Sequence, residues 1–172
     1  MPIPKAARTA RPKSKTTPKA AVFPTETHGL SKLGALTPYR FDSPDGSVLE
    51  AFSNRYPGRN YVITLEHREF TSLCPMTGQP DFGVIRLCYA PNEKCLESKS
   101  FKLYLSAFRN HGAFMESLTN QIAEDLIALL APRRLTLDGI FNVRGGTAIS
   151  VRVEYLAAGL SEKTEAELLR LW

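Results

Sequence analysis

The octapeptide Cys74-Pro75-Met76-Thr77-Gly78-Gln79-Pro80-Asp81 separates two segments of strand character and limits how they can pair. Before it, Tyr61–Phe70 alternates, with Ile63 and Leu65 on one side and Thr64, Glu66 and Arg68 on the other. After it, Phe82–Ala90 is apolar and again reads as extended. Each proline locks its own φ and restricts the residue before it, so the connection is stiff. The two strands are therefore expected as a long-looped hairpin or as antiparallel neighbours. This stiffness matters chemically, because one thiol and one carboxylate stand in a fixed relation at strand ends. Cys74 reads as a candidate nucleophile and Asp81 as its acid–base partner. The ordinary alternative is that a lone cysteine beside a strand is a small buried hydrophobe.

Downstream the periodicity changes. Phe101, Leu105 and Phe108 fall on one helical face, which predicts a helix over Phe101–Arg109. Asn110-His111-Gly112 breaks it, with Gly112 suited to a left-handed cap. Phe114, Leu118, Ile122, Leu126 and Leu129 make the stripe of a longer helix, Ala113–Leu130, which Pro132 ends. Arg133–Ile140 and Phe141–Tyr155 return to strand character, the latter with Ile149, Val151, Val153 and Tyr155 alternating against polar residues. Upstream, Ser43-Pro44-Asp45-Gly46 is a turn and Val48–Phe52 a short apolar piece; Pro91–Lys94 is a further turn. Glu162–Trp172 reads as a short amphipathic helix carrying Leu168, Leu169 and Trp172. The order of two strands, two helices and two strands predicts an α+β fold, an antiparallel sheet with helices on one face.

At 172 residues and 43% hydrophobic, the chain suffices for one well-buried domain. It has no apolar run long enough to span a membrane and no secretory-type apolar segment, which leads us to expect a cytoplasmic protein. Cys74, Cys88 and Cys95 form no CxxC pair, so free thiols are expected: Cys88 as a core residue of its strand, Cys95 as incidental. His28, His67 and His111 are scattered, and no metal site is expected. The net charge of +5 is local: residues 1–20 hold six of the 22 basic residues and no acid, leaving 16 basic against 17 acidic elsewhere. Residues 1–22 are thus expected as a disordered basic tail and 23–172 as a single catalytic domain. Such a tail suits RNA or another polyanion, or serves only for solubility.

Three stretches carry a resemblance: Cys74–Asp81, then Glu97-Ser98-Lys99-Ser100-Phe101-Lys102-Leu103-Tyr104, then Phe108-Arg109-Asn110-His111-Gly112. In order and spacing, over Tyr61–Gly146, they resemble the 7-cyano-7-deazaguanine reductases (the QueF family) in their short, single-module form. These are NADPH-dependent nitrile reductases of queuosine biosynthesis. The resemblance implies the tunnelling fold, with subunits joining their sheets into an oligomeric barrel and active sites between subunits. It implies a deazapurine substrate, NADPH as cofactor, a homo-oligomer, and no membrane or obligatory nucleic-acid partner. It makes Cys74 the nucleophile that captures the nitrile as a thioimide and Asp81 the proton donor. Leu96, Glu97, Ser98, Met115 and Glu116 fall on substrate-binding positions, with Glu116 the carboxylate expected to be buried against the base. Lys99 and Lys102 fall on the cofactor motif, and Arg144, in a hairpin turn, is expected to assist there.

The chemistry is sensible on its own terms. Covalent capture by sulfur divides a hard reduction into easier steps. A free thiol is only a few per cent ionised at neutral pH, so the site must activate it. The chain departs from the family at Met115, where a histidine is usual; a thioether donates neither a proton nor a strong hydrogen bond. His111 precedes it by about one helical turn but lies behind the Gly112 break, and reads as a capping or packing residue. Two other functions stay open: transfer of the captured group to a nitrogen nucleophile on RNA, and an RNA-associated module without catalysis.

Overall fold

A computed structural model describes residues 29–32, 39–41 and 43–172. The expected tail, with its six basic residues, and His28 lie outside the described residues. The main sheet has four antiparallel strands: β2 (Ile63–Leu73) and β3 (Pro80–Ala90) form a hairpin, followed in order by β5 (Arg134–Phe141) and β6 (Ser150–Leu156). A smaller ladder joins β1 (Ala51–Ser53) to β4 (Lys94–Leu96). Between the halves of the sheet run α1 (Ser98–Ser106) and α2 (Met115–Leu130); α3 (Glu162–Leu169) follows β6. The α+β class and the two-strand, two-helix, two-strand order are as the periodicity predicts. Among the described residues no helix is long and apolar enough to cross a membrane.

Burial alternates along the strands and identifies the covered face. Ile85, Leu87 and Tyr89 on β3 and Leu135, Leu137 and Phe141 on β5 join one core with α1 and α2. On the other face Phe82 and Ile140 remain exposed. Cys88 is on that free face too, half-buried beside the Thr64 hydroxyl, and not in the core as expected. Trp172 caps one end of the same face: its indole N–H donates to Thr136 Oγ1 and the Arg134 guanidinium lies 4.3 Å from its ring centre. Of the stripe expected in α3, only Leu168 is fully buried.

Several boundaries differ for identifiable reasons. α1 begins at Ser98, three residues before the apolar pattern does, because Glu97 caps it: the carboxylate accepts from the N–H groups of Lys99 (2.8 Å) and Ser100 (2.7 Å). α2 buries Met115, Leu118, Ile122, Ala123, Leu126 and Leu130, so the stripe is rotated from the one expected. Phe114 is the N-cap and is exposed, and Leu129 is only partly covered. Gly112 is not a left-handed cap. It forms a parallel bridge with Leu73, and a side chain there would meet Pro75 at 3.4 Å. The expected strand Phe141–Tyr155 is divided by a tight turn, Arg144-Gly145-Gly146-Thr147, in which both glycines have positive φ. That is the geometry of a type I′ hairpin, which the right-handed sheet twist favours. β1 and β4 were not expected as strands, since three residues are too few to show alternation.

One irregularity decides where the chemistry sits. Between the pairs His67↔Ile85 and Phe70↔Gly83, β2 carries one residue more than β3. This bulge reverses the alternation, so that Phe70, Ser72 and Cys74 point to the covered side after Leu65 and His67 have already done so.

Candidate active site

Cys74 follows directly on β2, and its turn closes on itself: Cys74 N donates to Gln79 O (2.8 Å) and Gly78 N to Cys74 O (2.9 Å), with Gly78 at φ +68°. The thiol is 9% exposed, at the rim of the covered face. Its pKa is lowered from 9.0 to about 7. The main cause is the Thr77 hydroxyl hydrogen-bonding to sulfur, with the N–H groups of Met76 and Thr77 adding to it and Arg144 contributing less. Cys95 makes the contrast: buried beside the Tyr61 hydroxyl (3.7 Å), its thiol is pushed up by burial. Only a lowered thiol supplies thiolate at neutral pH. We expect Cys74 alkylation by iodoacetamide, read by peptide mass spectrometry, to rise with pH and reach half its maximum near pH 7. A depressed pKa is lost as a source of thiolate below that value, so the rate falls on the acid side; a midpoint near 9 would contradict the assigned environment.

Asp81 is the cross-strand partner of Ser72 and is 5% exposed. Arg144 reaches down from the β5–β6 hairpin and donates from Nη1 to Asp81 Oδ1 at 2.8 Å. A buried carboxylate needs such a partner. Arg144 therefore links the acid and the sulfur within one chain and is not placed solely for a cofactor. The backbone of His111–Ala113 runs beside Leu73, with Leu73 N donating to His111 O and Ala113 N to Leu73 O. This brings the first turn of α2 to the thiol's end of the sheet. Glu116, in that turn, is exposed, in contrast to the burial expected for it. Met115 is a core residue, 7% exposed. The His111 ring packs edge-on against Phe108, as its reading as a packing residue anticipates.

The remaining expected contacts form a second group. Leu96 is buried and its N–H donates to Tyr89 Oη (2.9 Å); Glu97 N donates to Glu50 O (2.9 Å). Tyr89 pairs with Ile63, at the start of β2, whereas Cys74 follows its end. Ten residues of strand lie between, a length of roughly 35 Å. Ser98 is exposed, Lys99 Nζ donates to Lys32 O (2.7 Å), and Lys102 is exposed on the next turn of α1. One chain thus gathers Cys74, Asp81, Arg144 and Glu116 at one end of the hairpin, and Leu96 and Glu97 toward the other, with Lys102 between them near His67. A cleft of about 660 Å³ lies beside the β2 bulge, lined in part by His67, Phe70, Leu105 and Arg109; neither Cys74 nor Asp81 lines it. Sequence reasoning did not find Ser72, fully buried between Phe70 and Cys74 on the same face, or the capping role of Glu97. Among the described residues no group of three His, Cys, Asp or Glu is disposed to hold a metal.

The family described as QueF-like protein matches residues 80–159. The NADPH-dependent 7-cyano-7-deazaguanine reductase of Desulfovibrio desulfuricans (strain ATCC 27774) is 49% identical, over 86% of this chain and 90% of its own. That of Helicobacter pylori (strain Shi470) is 51% identical over 81% and 95%. The crystal structure of the apo archaeosine synthase QueF-Like superposes with a TM-score of 0.51, covering 58% of this chain and 96% of that one at 21% identity, a likeness of fold. Half of the residues shared along nearly the whole length of a relative is more than a common fold requires, and the chain belongs to the 7-cyano-7-deazaguanine reductase family.

Proposed function

We propose that the protein reduces the nitrile of 7-cyano-7-deazaguanine to an aminomethyl group through a thioimide on Cys74, with NADPH as reductant. The observation that carries this is the thiol itself. It is lowered to about 7 and linked through Arg144 to a buried carboxylate, in a chain about half identical to enzymes bearing that name. Asp81 takes the thiol proton, Sγ bonds to the nitrile carbon, and one π pair moves to nitrogen, which receives the proton back from Asp81. NADPH, when bound, would supply the two hydrides that this carbon needs. Cys74 leaves as thiolate when the nitrogen lone pair of the once-reduced adduct forms the imine, and completing the amine takes up one further proton at nitrogen from solvent. The donor set fits such a cofactor: Lys99 and Lys102, three residues apart on α1, share a face and offer point charges suited to phosphate. Glu116 is the acceptor for the adjacent N–H groups of the base.

The proposal includes a homo-oligomer. Residues 96–102 of one copy complete the site built on Cys74 of the next, because the length of the hairpin keeps the two groups apart in one chain. Among the described residues β2 and β6 are the edge strands of the sheet, β2 being tied on its outer side at Leu73 by the bridge to Gly112, and such edges join readily to another sheet. Exposed Glu116, Phe82 and Ile140 are accounted for in the same way.

Intact-protein mass spectrometry tests the reading. Mixing with the nitrile alone should add the whole substrate mass at Cys74, and NADPH should discharge it. An adduct that NADPH leaves in place would point to group transfer instead, and no adduct would refute the covalent route.

A further inference from the structure

We propose that Ser72 is a positioning residue for Asp81, holding the carboxyl in the orientation that proton transfer needs; this rests on the covalent route above. Three observations converge on it. Ser72 is fully buried, and its hydroxyl has no hydrogen-bond partner among the described residues. It is the direct cross-strand partner of Asp81 and lies two residues before Cys74. The bulge of β2 brings Ser72 to the same face as both. Directly paired residues on one face of an antiparallel ladder have their Cβ atoms ~5 Å apart. A hydroxyl and a carboxyl at that separation meet after rotation of one side chain. A buried hydroxyl without a partner costs stability, and such groups call for a functional explanation.

The chemistry needs a second donor at this carboxyl. Arg144 engages Oδ1 and, being unable to accept, favours Oδ2 as the oxygen on which Asp81 takes up a proton. One contact leaves the carboxyl free to turn. A hydroxyl donating to one lone pair of Oδ2 fixes its plane and leaves the other lone pair for exchange. There the S–H bond of Cys74 breaks as O–H forms, and O–H breaks as N–H forms on the nitrile nitrogen.

The test compares wild type, Ser72→Ala and Ser72→Thr by rapid-quench mass spectrometry of the Cys74 adduct, by kcat and nitrile KM, and by melting temperature. Misplacing a reacting group by about an ångström costs ~10²-fold. Ser72→Ala should therefore slow adduct formation and kcat by about that factor, with KM unchanged. Its melting temperature should stay close to wild type, since the change costs one hydrogen bond to a carboxyl that Arg144 still engages. Ser72→Thr, which keeps the hydroxyl, should recover most of the rate. An unchanged adduct rate in Ser72→Ala would overturn the role and leave the covalent route standing. A lowered melting temperature with equal losses in both variants, or failure of Ser72→Ala to fold, would show packing alone and also overturn it. No adduct in wild type would overturn both.

Discussion

Cys74→Ala is expected to abolish both the nitrile adduct and turnover, a loss of four orders of magnitude or more. Nothing else near the site can take over. Cys88 is on the free face of the sheet beside Thr64, and Cys95 is buried with its thiol pushed up. The Thr77 hydroxyl that activates the sulfur is itself a far weaker nucleophile. The fold should be untouched, because the thiol lies at the rim and the turn is closed by backbone bonds to Gln79 and Gly78. Mass spectrometry with the nitrile and NADPH oxidation at 340 nm (the usual absorbance of the reduced nicotinamide) read the two losses independently. Turnover surviving at more than a per cent of wild type would exclude Cys74 as the nucleophile.

Two inactive variants should make an active enzyme when assembled together. Cys74→Ala removes the nucleophile from one end of the hairpin, and Glu97→Ala removes a carboxylate from the other. If sites are shared between copies, each variant is dead as a homo-oligomer. A mixed assembly would then pair an intact Cys74 on one copy with an intact Glu97 on its neighbour at some sites. Co-unfolded and co-refolded mixtures should regain a measurable fraction of wild-type NADPH oxidation, and separately folded, unexchanged mixtures should not. Inactivity of the co-assembled mixture would place each whole site within one chain. Because Glu97 also caps α1, the variant loses ~1 kcal/mol of stability, which thermal unfolding will register.

The order of elements was readable because long periodic segments declare themselves. Ile63 and Leu65 alternate with polar residues, and α2 holds a helical stripe over sixteen residues. The details that failed are those in which tertiary contacts outweigh local pattern. Phe114 has the right spacing for the α2 stripe, but Ala113 is tied by its backbone to Leu73, the helix starts only after Phe114, and the ring is left exposed. Glutamate is an uncommon cap, so α1 was expected three residues late. Of the site, Cys74 and Asp81 were evident from a thiol and an acid flanking a stiff turn. Their link through Arg144 was not, since it spans 63 residues and depends on a hairpin tip. Met115, at the position where the family usually has a histidine, packs into the core.

The β2 bulge hides the site from a simple reading of alternation. Arg68 and Glu69 together face a single residue of β3, and the whole strand beyond them is out of phase with the strand before. Extended without a break, the alternation of Ile63 and Leu65 would send Ser72 and the thiol to the free face. Remove one of the two bulge residues, and the ladder becomes regular with the other pairs kept: His67 still faces Ile85, Phe70 still faces Gly83, and Ser72 still faces Asp81. A homologue one residue shorter here would therefore keep thiol, hydroxyl and carboxyl on one face, and its alternation would read straight through to the site.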